Sequence, residues 1–551
     1  MKKLLISIIL SVTLIAPLWA SKKVRLHTLG DSTMEQQNPN LKDQRGWVQL
    51  LQSFLKDDLE VMDHAKSGTS TKTFYRQGYW DRAKKTIQPG DYVLIQFGHN
   101  DEKHNGKDGP IGTAPTDSFR IYLAKYVNEV RSLGAHPILV TPVVRNMFGL
   151  DGKLSRRGKH DLGEYVHNND NPAFNLNDTI TFNYPYNIRY EAKELNCPLI
   201  DMTLLSARLV EPLGNSKATS LIYNLGDGTH FGTTGAVLFS QLFVKELQHQ
   251  QILTEYLRPP KHLITNPSNI GFTNLFKGTE SVQIFDVCYL GDTAKNMLSL
   301  TASEGFSLSI KPDKYFTDHV NLPRSSPDGV TVFKMYVKTM PLQAGAITGI
   351  IKVTANGETN IITISGDCQE MKNNQPISVV YDLNTNAMPG STGPVTALTE
   401  VWNGMELINY GIPTLSNGKA DSTLANKKVQ QNTIIGKIWP KNEEDVVYSR
   451  YIQFRIKASH VSDLIINSIE FYAGGGSNFR VVTSQTEDFS STVTVGEDIN
   501  VKGDEMMNYS FKTSQKVDAG KTLYIRIYPW GNKSCNYSVT KCNCLFEKEY
   551  I

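Results

Sequence analysis

The sequence predicts a three-layer α/β/α domain on a five-stranded parallel sheet, followed by two β-sandwich modules. Between residues 22 and 258, short aliphatic runs alternate with longer amphipathic segments, which is typical of strands joined by helices. After this region the pattern changes to short alternating strands separated by turn residues. A chain of 551 residues is also too long for one ordinary core, so several domains are expected.

Buried strands and helices alternate in the first domain. The strands are runs rich in aliphatic residues at 24–29, 59–65, 92–97, 137–143 and 198–201. Apolar residues at helical spacing predict helices at 47–55, 119–133, 185–195 and 235–247. Strands joined in this way form a parallel sheet with helices on both faces. The functional site is expected where polar turns follow the carboxyl ends of the strands.

Two β-rich modules are expected after the segment Arg258-Pro259-Pro260-Lys261, which breaks the last helix. Short alternating strands at 265–372 predict an immunoglobulin-like β-sandwich. Residues 376–551 predict a second β-sandwich. Its tryptophans have two interpretations, a sugar-stacking surface or ordinary core packing; they are Trp402, Trp439 and Trp530.

The N-terminus has the pattern of a secretory signal peptide. A basic start, Met1-Lys2-Lys3, precedes an apolar run from Leu4 to Leu18 and a small residue at Ala20. We expect residues 1–20 to be removed and the mature protein to be secreted to the periplasm or the extracellular space. The apolar run is short, and no later stretch approaches the length of a membrane span. No integral membrane segment is therefore expected in the mature chain.

Charge and cysteine content narrow the function classes. The formal net charge is +3 without a long basic or acidic block, so nucleic acid is not expected as a partner. The cysteines are Cys197, Cys288, Cys368, Cys535, Cys542 and Cys544. Their spacing does not specify a pairing, although a bridge between Cys288 and Cys368 is one hypothesis. The Cys-x-Cys pair has no matching histidine, which favours disulfides or free thiols over a metal site.

Four polar stretches stand where a serine hydrolase built on this sheet needs them. Ser32, in Gly30-Asp31-Ser32, follows the first strand and is the candidate nucleophile. Gly68 follows the second strand and Asn100 the third. They are candidate oxyanion donors through a backbone N–H and a side-chain amide. Asp227 and His230 stand three residues apart at the expected start of the last helix, and they complete a triad.

In this order and at strand ends, these blocks resemble the SGNH (GDSL-type) hydrolase superfamily, and within it the rhamnogalacturonan acetylesterases. The resemblance covers residues 22–255, which is under half of the chain. It implies a flavodoxin-like fold for the first domain. The segments that carry it are Gly30-Asp31-Ser32-Thr33-Met34, Phe97-Gly98-His99-Asn100-Asp101, Thr141-Pro142-Val143-Val144-Arg145 and Asp227-Gly228-Thr229-His230-Phe231.

The resemblance implies a role for each candidate residue. Ser32 attacks an ester carbonyl, His230 takes its proton and returns it to the departing sugar hydroxyl, and Asp227 holds the imidazole tautomer. The N–H groups of Ser32 and Gly68 and the amide of Asn100 then meet the oxyanion. This mechanism requires no metal and no organic cofactor.

The resemblance also implies a substrate, an acetylated plant cell-wall polysaccharide or its oligosaccharides, with rhamnogalacturonan as the expected polymer. His99, Arg145 and Trp80 are candidate substrate contacts, with structural roles as the alternative. An arginine fork suits a galacturonate carboxylate. The polar stretch 156–183 departs from the compact members of the family and is a candidate cover for the cleft.

Two other functions stay open at this point. A GDSL-type lipase or thioesterase needs an apolar acyl groove beside Ser32, whereas the loops of this chain are polar. A non-catalytic carbohydrate-binding surface protein needs a broken triad, but all three triad residues are present. The sequence therefore favours a secreted serine esterase that removes O-acetyl groups from a pectic polysaccharide.

Overall fold

The structure is a computed structural model. It describes residues 23–40, 42–163, 180–291, 297–323, 329–370, 377–382, 389–409, 430–434, 443–474, 478–500, 507–531 and 537–547. The predicted signal peptide, Trp439, Cys535 and residues 164–179 of the polar stretch lie outside these ranges. No helix within the described ranges has the length and the apolar character needed to cross a membrane.

The first domain is built on one parallel sheet. Its strands are β1 Val24–Gly30, β2 Leu59–Asp63, β3 Tyr92–Gln96, β4 His136–Val140 and β5 Leu199–Ile200. They lie side by side in the order β2-β1-β3-β4-β5. Leu26 on the inner strand β1 stands opposite Val61 on one side and Tyr92 on the other. The predicted fold class, a five-stranded parallel sheet followed by β-rich modules, is confirmed.

Helices cover both faces of this sheet. The described α-helices are α1 Thr71–Arg76, α2 Tyr79–Lys84, α3 Arg120–Ser132, α4 Tyr184–Glu194, α5 Met202–Val210, α6 Gly214–Leu221 and α7 Thr233–His249. Short 3₁₀ helices lie at Trp47–Phe54, Arg157–Lys159, Ile180–Phe182, Glu211–Leu213 and Thr254–Tyr256, and a π-helical turn at Pro115–Phe119 precedes α3. The helix expected at 47–55 is thus 3₁₀. Over eight residues, the apolar spacing does not distinguish 3.0 from 3.6 residues per turn.

Side chains of the strands alternate between two cores, one on each face of the sheet. Leu26 and Leu94 lie in the core under the 3₁₀ helix Trp47–Phe54 and α7. Leu29 and Val93 lie in the opposite core, under α3 and α4. Because both faces are covered, the strands are mainly apolar. The buried polar side chains of His27 and Thr28 on β1 are exceptions, and they bond Asp91 and Asp63.

The first β-module is a sandwich of two sheets. Its strands are β6 Leu263–Asn266, β7 Asn269–Phe276, β8 Ser281–Leu290, β9 Leu298–Ala302, β10 Phe306–Ser309, β11 His319–Leu322, β12 Val330–Thr339, β13 Gly345–Ala355 and β14 Glu358–Gln369. One sheet has the order β10-β12-β8-β6 and the other β11-β9-β13-β14-β7. The pair β14 and β7 is parallel, so the module is not a simple series of hairpins.

Strand β8 is buried on both faces. Phe285 and Val287 point into the sandwich interior. Cys288 and Leu290, on the other face, pack into the core that holds Trp47 of the first domain. The first domain and the first β-module therefore share a continuous apolar core.

The same arrangement excludes the bridge hypothesised between Cys288 and Cys368. Both thiols are free. Cys288 lies in the core shared with the first domain, whereas Cys368 lies inside the sandwich. Cys197 in the first domain is also free and buried.

The second β-module follows with two further sheets. Its strands are β15 Ile377–Asp382, β16 Gly390–Thr392, β17 Val395–Asn403, β18 Met405–Asn409, β19 Gln430–Ile434, β20 Tyr451–Ala458, β21 Leu464–Gly474, β22 Asn478–Ser484, β23 Val493–Thr494, β24 Ile499–Asn500, β25 Met507–Val517, β26 Thr522–Trp530 and β27 Tyr537–Glu547. Strands β17, β20, β22, β23, β24 and β26 form one sheet and the rest form the other. Trp530 is buried against Val482 and Tyr528, so its role is core packing. Trp402 is partly buried against the main core.

A buried ion pair joins the first domain to the first β-module. Arg45 Nε lies 3.0 Å from Asp286 Oδ2 on β8, and both side chains are almost fully buried. The same carboxylate oxygen accepts a hydrogen bond of 2.9 Å from the hydroxyl of Thr233 at the start of α7. The backbone N–H of Arg45 donates to the carbonyl of Phe231 at 3.0 Å. Asp286 therefore fixes two segments of the first domain at once.

We expect Asp286→Ala to lower the free energy of unfolding by about 3 kcal/mol, because it leaves the Arg45 guanidinium buried without its partner. Urea unfolding of the full chain measures this effect. The matched control is Asp57→Ala. Asp57 pairs with Arg258 at 2.6 Å but is 89% exposed, so its loss is expected to cost less than about 0.5 kcal/mol. Equal effects of the two substitutions would contradict a structural role for the buried pair.

Candidate active site

Ser32 stands in a tight turn at the carboxyl end of β1. The carboxylate of Asp31 holds this turn, because its Oδ1 accepts from the N–H of Thr33 at 2.9 Å and from the Thr33 hydroxyl at 2.8 Å. The carbonyl of Asp31 accepts from the N–H groups of Met34 and Glu35. These contacts fix the backbone around Ser32 and leave its side chain at the edge of the sheet.

The structure brings the three predicted triad residues together. Ser32 Oγ lies 2.8 Å from His230 Nε2, and His230 Nδ1 lies 3.0 Å from Asp227 Oδ2. The sequence predicted that Asp227 and His230 lie at the start of the last helix, and this prediction is wrong. They lie in the loop before α7, which begins at Thr233. Asp227 Oδ1 holds this loop by accepting from the N–H groups of Thr229 and His230, each at 2.7 Å.

The electrostatics of the triad define the direction of proton transfer. Burial raises the pKa of Asp227, but the hydrogen bonds from the His230 ring and from two backbone N–H groups outweigh it and lower the pKa to about 2. Asp227 is therefore a carboxylate at neutral pH and accepts the Nδ1–H of His230. This leaves Nε2 to accept the proton of Ser32 Oγ, as a general base must.

The predicted oxyanion donors lie at the ends of neighbouring strands. Within the described residues, the N–H groups of Ser32 and Gly68 donate to no protein acceptor, so both remain available to a ligand. Asn100 is nearly buried, and its Nδ2 donates to the carbonyl of Thr69 at 3.0 Å. This bond uses one amide hydrogen and fixes the side chain, while the second hydrogen remains for the oxyanion.

Two glycines make this close arrangement of loops possible. Gly68 has a φ of +81°, in the left-handed region that L-residues with a side chain rarely adopt. Gly98, at the end of β3, has a φ of +147°, and a Cβ there would lie 2.8 Å from Cγ of Pro142. A side chain at Gly68 would have room but would strain the backbone, whereas a side chain at Gly98 would collide with Pro142.

Glu35 and Gln44 support the site, and neither was singled out by the sequence pattern. The carboxylate of Glu35 accepts from the N–H of Ser67 at 2.9 Å, from the Ser67 hydroxyl, and from Lys66 Nζ at 2.9 Å. It thereby ties the turn of Ser32 to the loop that carries Gly68. Gln44 Nε2 donates to the carbonyl of Ser32 at 2.8 Å. Both are polar residues that follow Ser32 closely in the sequence, and nothing else in the sequence pointed to a role in the site.

Arg145 connects the Asn100 loop with the His230 loop. Its guanidinium donates to the carbonyl of His99 at 3.0 Å, pairs with Glu102 at 3.2 Å and donates to the hydroxyl of Thr229. Glu102 in turn bonds the ring of His160, which also contacts the carbonyl of Val143 at 2.7 Å. The structure thus gives Arg145 an internal positioning role instead of the predicted contact with a substrate carboxylate. No motif pointed to His160, which lies in the polar stretch 156–183.

Burial also contradicts the substrate contacts predicted for His99 and Trp80. The His99 ring lies behind the Ser32 turn, 3.3 Å from Asp31 Oδ2 and 4.5 Å from the His160 ring centroid. Burial lowers the pKa of His99 to about 4, against the opposing effect of Asp31, so the ring is neutral at pH 7. Trp80 is 1% exposed, and its indole N–H donates to Glu129 at 2.8 Å. Neither ring presents a face to a sugar.

A serine nucleophile, an imidazole base, a carboxylate and an oxyanion site together define a serine hydrolase that works through an acyl-enzyme. The chain belongs to the GDSL-like Lipase/Acylhydrolase family, whose model matches residues 28–238. The matched stretch contains the turn of Ser32 and the loop of His230. Both β-modules lie beyond it.

Several known proteins are similar to the first domain. Rhamnogalacturonan acetylesterase RhgT of Bacillus subtilis is 30% identical over 239 residues, which are 41% of this chain and 90% of that protein. The probable rhamnogalacturonan acetylesterase YesY of the same organism is 29% identical and covers 40% of this chain and 92% of its own. The crystal structure of YxiM from Bacillus subtilis is 26% identical, with a TM-score of 0.34, and covers 42% of this chain and 57% of that one.

We expect Asn100→Ala to lower kcat for ester hydrolysis by about 10²-fold to 10³-fold with little change in KM, because the lost donor acts on charge that develops in the transition state. Steady-state kinetics on a soluble acetyl ester measure the effect. Asn215→Ala, at an exposed position of α6, is the control. An unchanged kcat for Asn100→Ala would contradict the predicted role of Asn100 as an oxyanion donor.

Glu102 is expected to make the stability of the fold pH-dependent. Burial raises the pKa of Glu102, but Arg145 and His160 lower it more, to about 2 from its usual value of 4.5. A carboxyl group whose pKa is lower in the native than in the unfolded state stabilises the native state at pH values above the unfolded-state pKa. This contribution is lost as the pH falls toward about 2. The difference in Tm between the wild type and Glu102→Gln should therefore shrink as the pH is lowered from about 5 to about 2.

Asp101→Asn is the control, because the pKa of Asp101 is shifted in the opposite direction from that of Glu102. Burial raises the pKa of Asp101 to about 7, although hydrogen bonds from Thr71 and Thr113 oppose the increase. The native state of the wild type therefore loses stability as the pH rises from about 4 to about 7, and Asp101→Asn gains relative to it over that interval. Parallel pH profiles for the wild type and Glu102→Gln would contradict a charged role for Glu102.

Proposed function

We propose that this protein is an exported carbohydrate acetylesterase that removes O-acetyl groups from a pectic polysaccharide, with rhamnogalacturonan as its polymer. The observation that carries the proposal is the complete Ser32–His230–Asp227 triad in a domain similar to RhgT, which is named a rhamnogalacturonan acetylesterase. The probable rhamnogalacturonan acetylesterase YesY supports the same substrate class.

The geometry of the site supports a reaction through an acyl-enzyme. His230 Nε2 takes the proton of Ser32 Oγ as this oxygen attacks the acetyl carbonyl, and Asp227 stabilises the imidazolium that forms. The oxyanion is met by the N–H groups of Ser32 and Gly68 and by Asn100. The imidazolium then protonates the departing sugar hydroxyl, and water repeats the attack on the acetyl-enzyme to release acetate.

The polar surroundings of the triad favour a short acyl group on a hydrophilic carrier. Gln44, Lys66, Ser67 and Thr229 stand in the loops next to the triad, and each is bonded to a neighbouring loop. A lipase or thioesterase would need an apolar surface there to receive an acyl chain. An acetyl group needs no such surface, whereas sugar hydroxyls gain hydrogen bonds from polar loops.

Export is part of the proposal because the first 20 residues have the pattern of a secretory signal peptide. A polymeric plant cell-wall substrate lies outside the cell that degrades it, so the enzyme must reach the periplasm or the extracellular space. N-terminal sequencing of the protein recovered from its native host tests this step. A mature chain that begins near Ser21 would support export, and a retained Met1 would contradict it.

Acetate release from acetylated rhamnogalacturonan is the test of the proposed activity. We expect release by the wild type, and a fall in kcat of about 10⁴-fold or more for Ser32→Ala and for His230→Ala, because both groups take part in the same proton transfer. Undiminished release by Ser32→Ala would contradict the mechanism. Release from acetylated xylan, together with none from rhamnogalacturonan, would contradict the substrate while leaving the mechanism intact.

A further inference from the structure

A polar crevice lies between the first domain and the first β-module. Its volume is about 550 Å³, and it is lined by residues of 35–40 from the first domain and of 267–284 from the module. A second cavity of about 410 Å³ continues from it toward Gly390 and Val395 of the second β-module. The two cavities share four lining residues, so they form one crevice along three parts of the chain; these residues are Asn38, Asn40, Gly271 and Gln283.

One end of the crevice lies beside the active site. Asp63 and Ala65, which line it, stand at the carboxyl end of β2, next to the strand that carries Ser32. Glu35 also lines it, and the carboxylate of Glu35 accepts from the N–H of Ser67, the residue before Gly68. A ligand in the crevice could therefore contact Glu35, which bonds the loop of the oxyanion donor Gly68.

The lining is rich in groups that bind sugar hydroxyls. Amide side chains line the first cavity, and they are Gln36, Gln37, Asn38, Asn40, Gln49, Asn269 and Gln283. An amide both donates and accepts hydrogen bonds, as a vicinal pair of hydroxyls does. Gln49 bonds the backbone of Gln37 with both of its side-chain groups, and Asn40 bonds Asn38 and Gln283. The exposed side chain of Gln36 bonds no other described residue, so it remains available to a ligand. The rings of Pro39 and Pro267 add small apolar surfaces for the C–H faces of a sugar.

The charges of the lining select against acidic sugars. The described residues that line the two cavities include no lysine, arginine or histidine. They do include three carboxylates. Glu35 pairs with Lys66, and Glu280 pairs with Lys457, whereas Asp63 has no ion pair within the described residues. Burial raises the pKa of Asp63 to about 6, so an added negative charge nearby would be unfavourable. A uronate would meet like charge here, whereas a neutral sugar would not.

We propose that this crevice is a binding site for neutral sugar units of the glycan whose acetyl group is removed at Ser32. The inference rests on the proposed function for the identity of the glycan. RhgT is matched over 90% of its length by only 41% of this chain. The module side of the crevice lies beyond that matched family region of 28–238 and would be a specificity element of this longer chain.

Gly271→Trp is the test, because Gly271 lines both cavities and a Cβ there meets no atom within 4 Å. The matched control is Lys352→Trp, at an exposed position of the same sheet outside both cavities. The readout is kcat/KM on acetylated rhamnogalacturonan divided by kcat/KM on p-nitrophenyl acetate. We expect this ratio to fall at least about tenfold in Gly271→Trp, through KM of the polymer, and to stay at the wild-type value in Lys352→Trp.

If Gly271→Trp does not fold, Gln36→Ala replaces it. The side chain of Gln36 is exposed and lines the first cavity. The same ratio is then expected to fall about threefold, the loss of one sugar hydrogen bond. An unchanged ratio in the folded variant would overturn the proposal.

Direct binding separates this inference from the proposed activity. Full-length Ser32→Ala is titrated calorimetrically with neutral galactan fragments and with polygalacturonate fragments. We expect tighter binding of the neutral fragments, weakened at least about tenfold by Gly271→Trp and not by Lys352→Trp. Binding that is insensitive to Gly271→Trp, or a preference for polygalacturonate, would overturn the proposal even if the esterase activity is confirmed. Failure to release acetate from pectin would contradict only the proposed function.

Discussion

The chemistry of this chain depends on the alignment of strand ends in a parallel sheet. The order β2-β1-β3 places the loop of Gly68, the turn of Ser32 and the loop of Asn100 next to one another at a single edge. His230 comes from a loop 198 residues after Ser32, yet its Nε2 lies 2.8 Å from the serine oxygen. An antiparallel sheet would send alternate loops to the opposite edge, so these donors would not converge on one oxygen.

Buried polar contacts then hold the converging loops in place. Arg145 connects the carbonyl of His99 with Thr229, and Glu102 neutralises its charge inside the protein. Glu35 connects the nucleophile turn with the loop of Gly68. Because a buried charge without a partner is costly, such contacts tolerate few alternative geometries, and they keep the oxyanion donors fixed before substrate arrives.

The first β-module is a structural part of the esterase and not an appended domain on a flexible linker. Strand β8 sends Cys288 and Leu290 into the core of the first domain, and its Asp286 binds Arg45 and Thr233. The backbone of Arg45 contacts Phe231, which follows His230 of the candidate triad. Removal of the module would therefore expose apolar surface and release contacts that support the His230 loop.

The sequence by itself determined the fold class, because strand periodicity is a local property of the chain. It also predicted the three triad residues that the structure brings into contact. It placed the ends of two strands too late, since β2 ends at Asp63 and β4 at Val140. It did not determine which polar and aromatic residues are buried. Arg145 and Trp80 pair with Glu102 and Glu129, and only packing decides such contacts. The tertiary structure likewise determines that Cys288 and Cys368 form no disulfide with each other, since they lie in different cores. Burial and pairing are properties of surfaces brought together from distant segments, and no single stretch of sequence contains them.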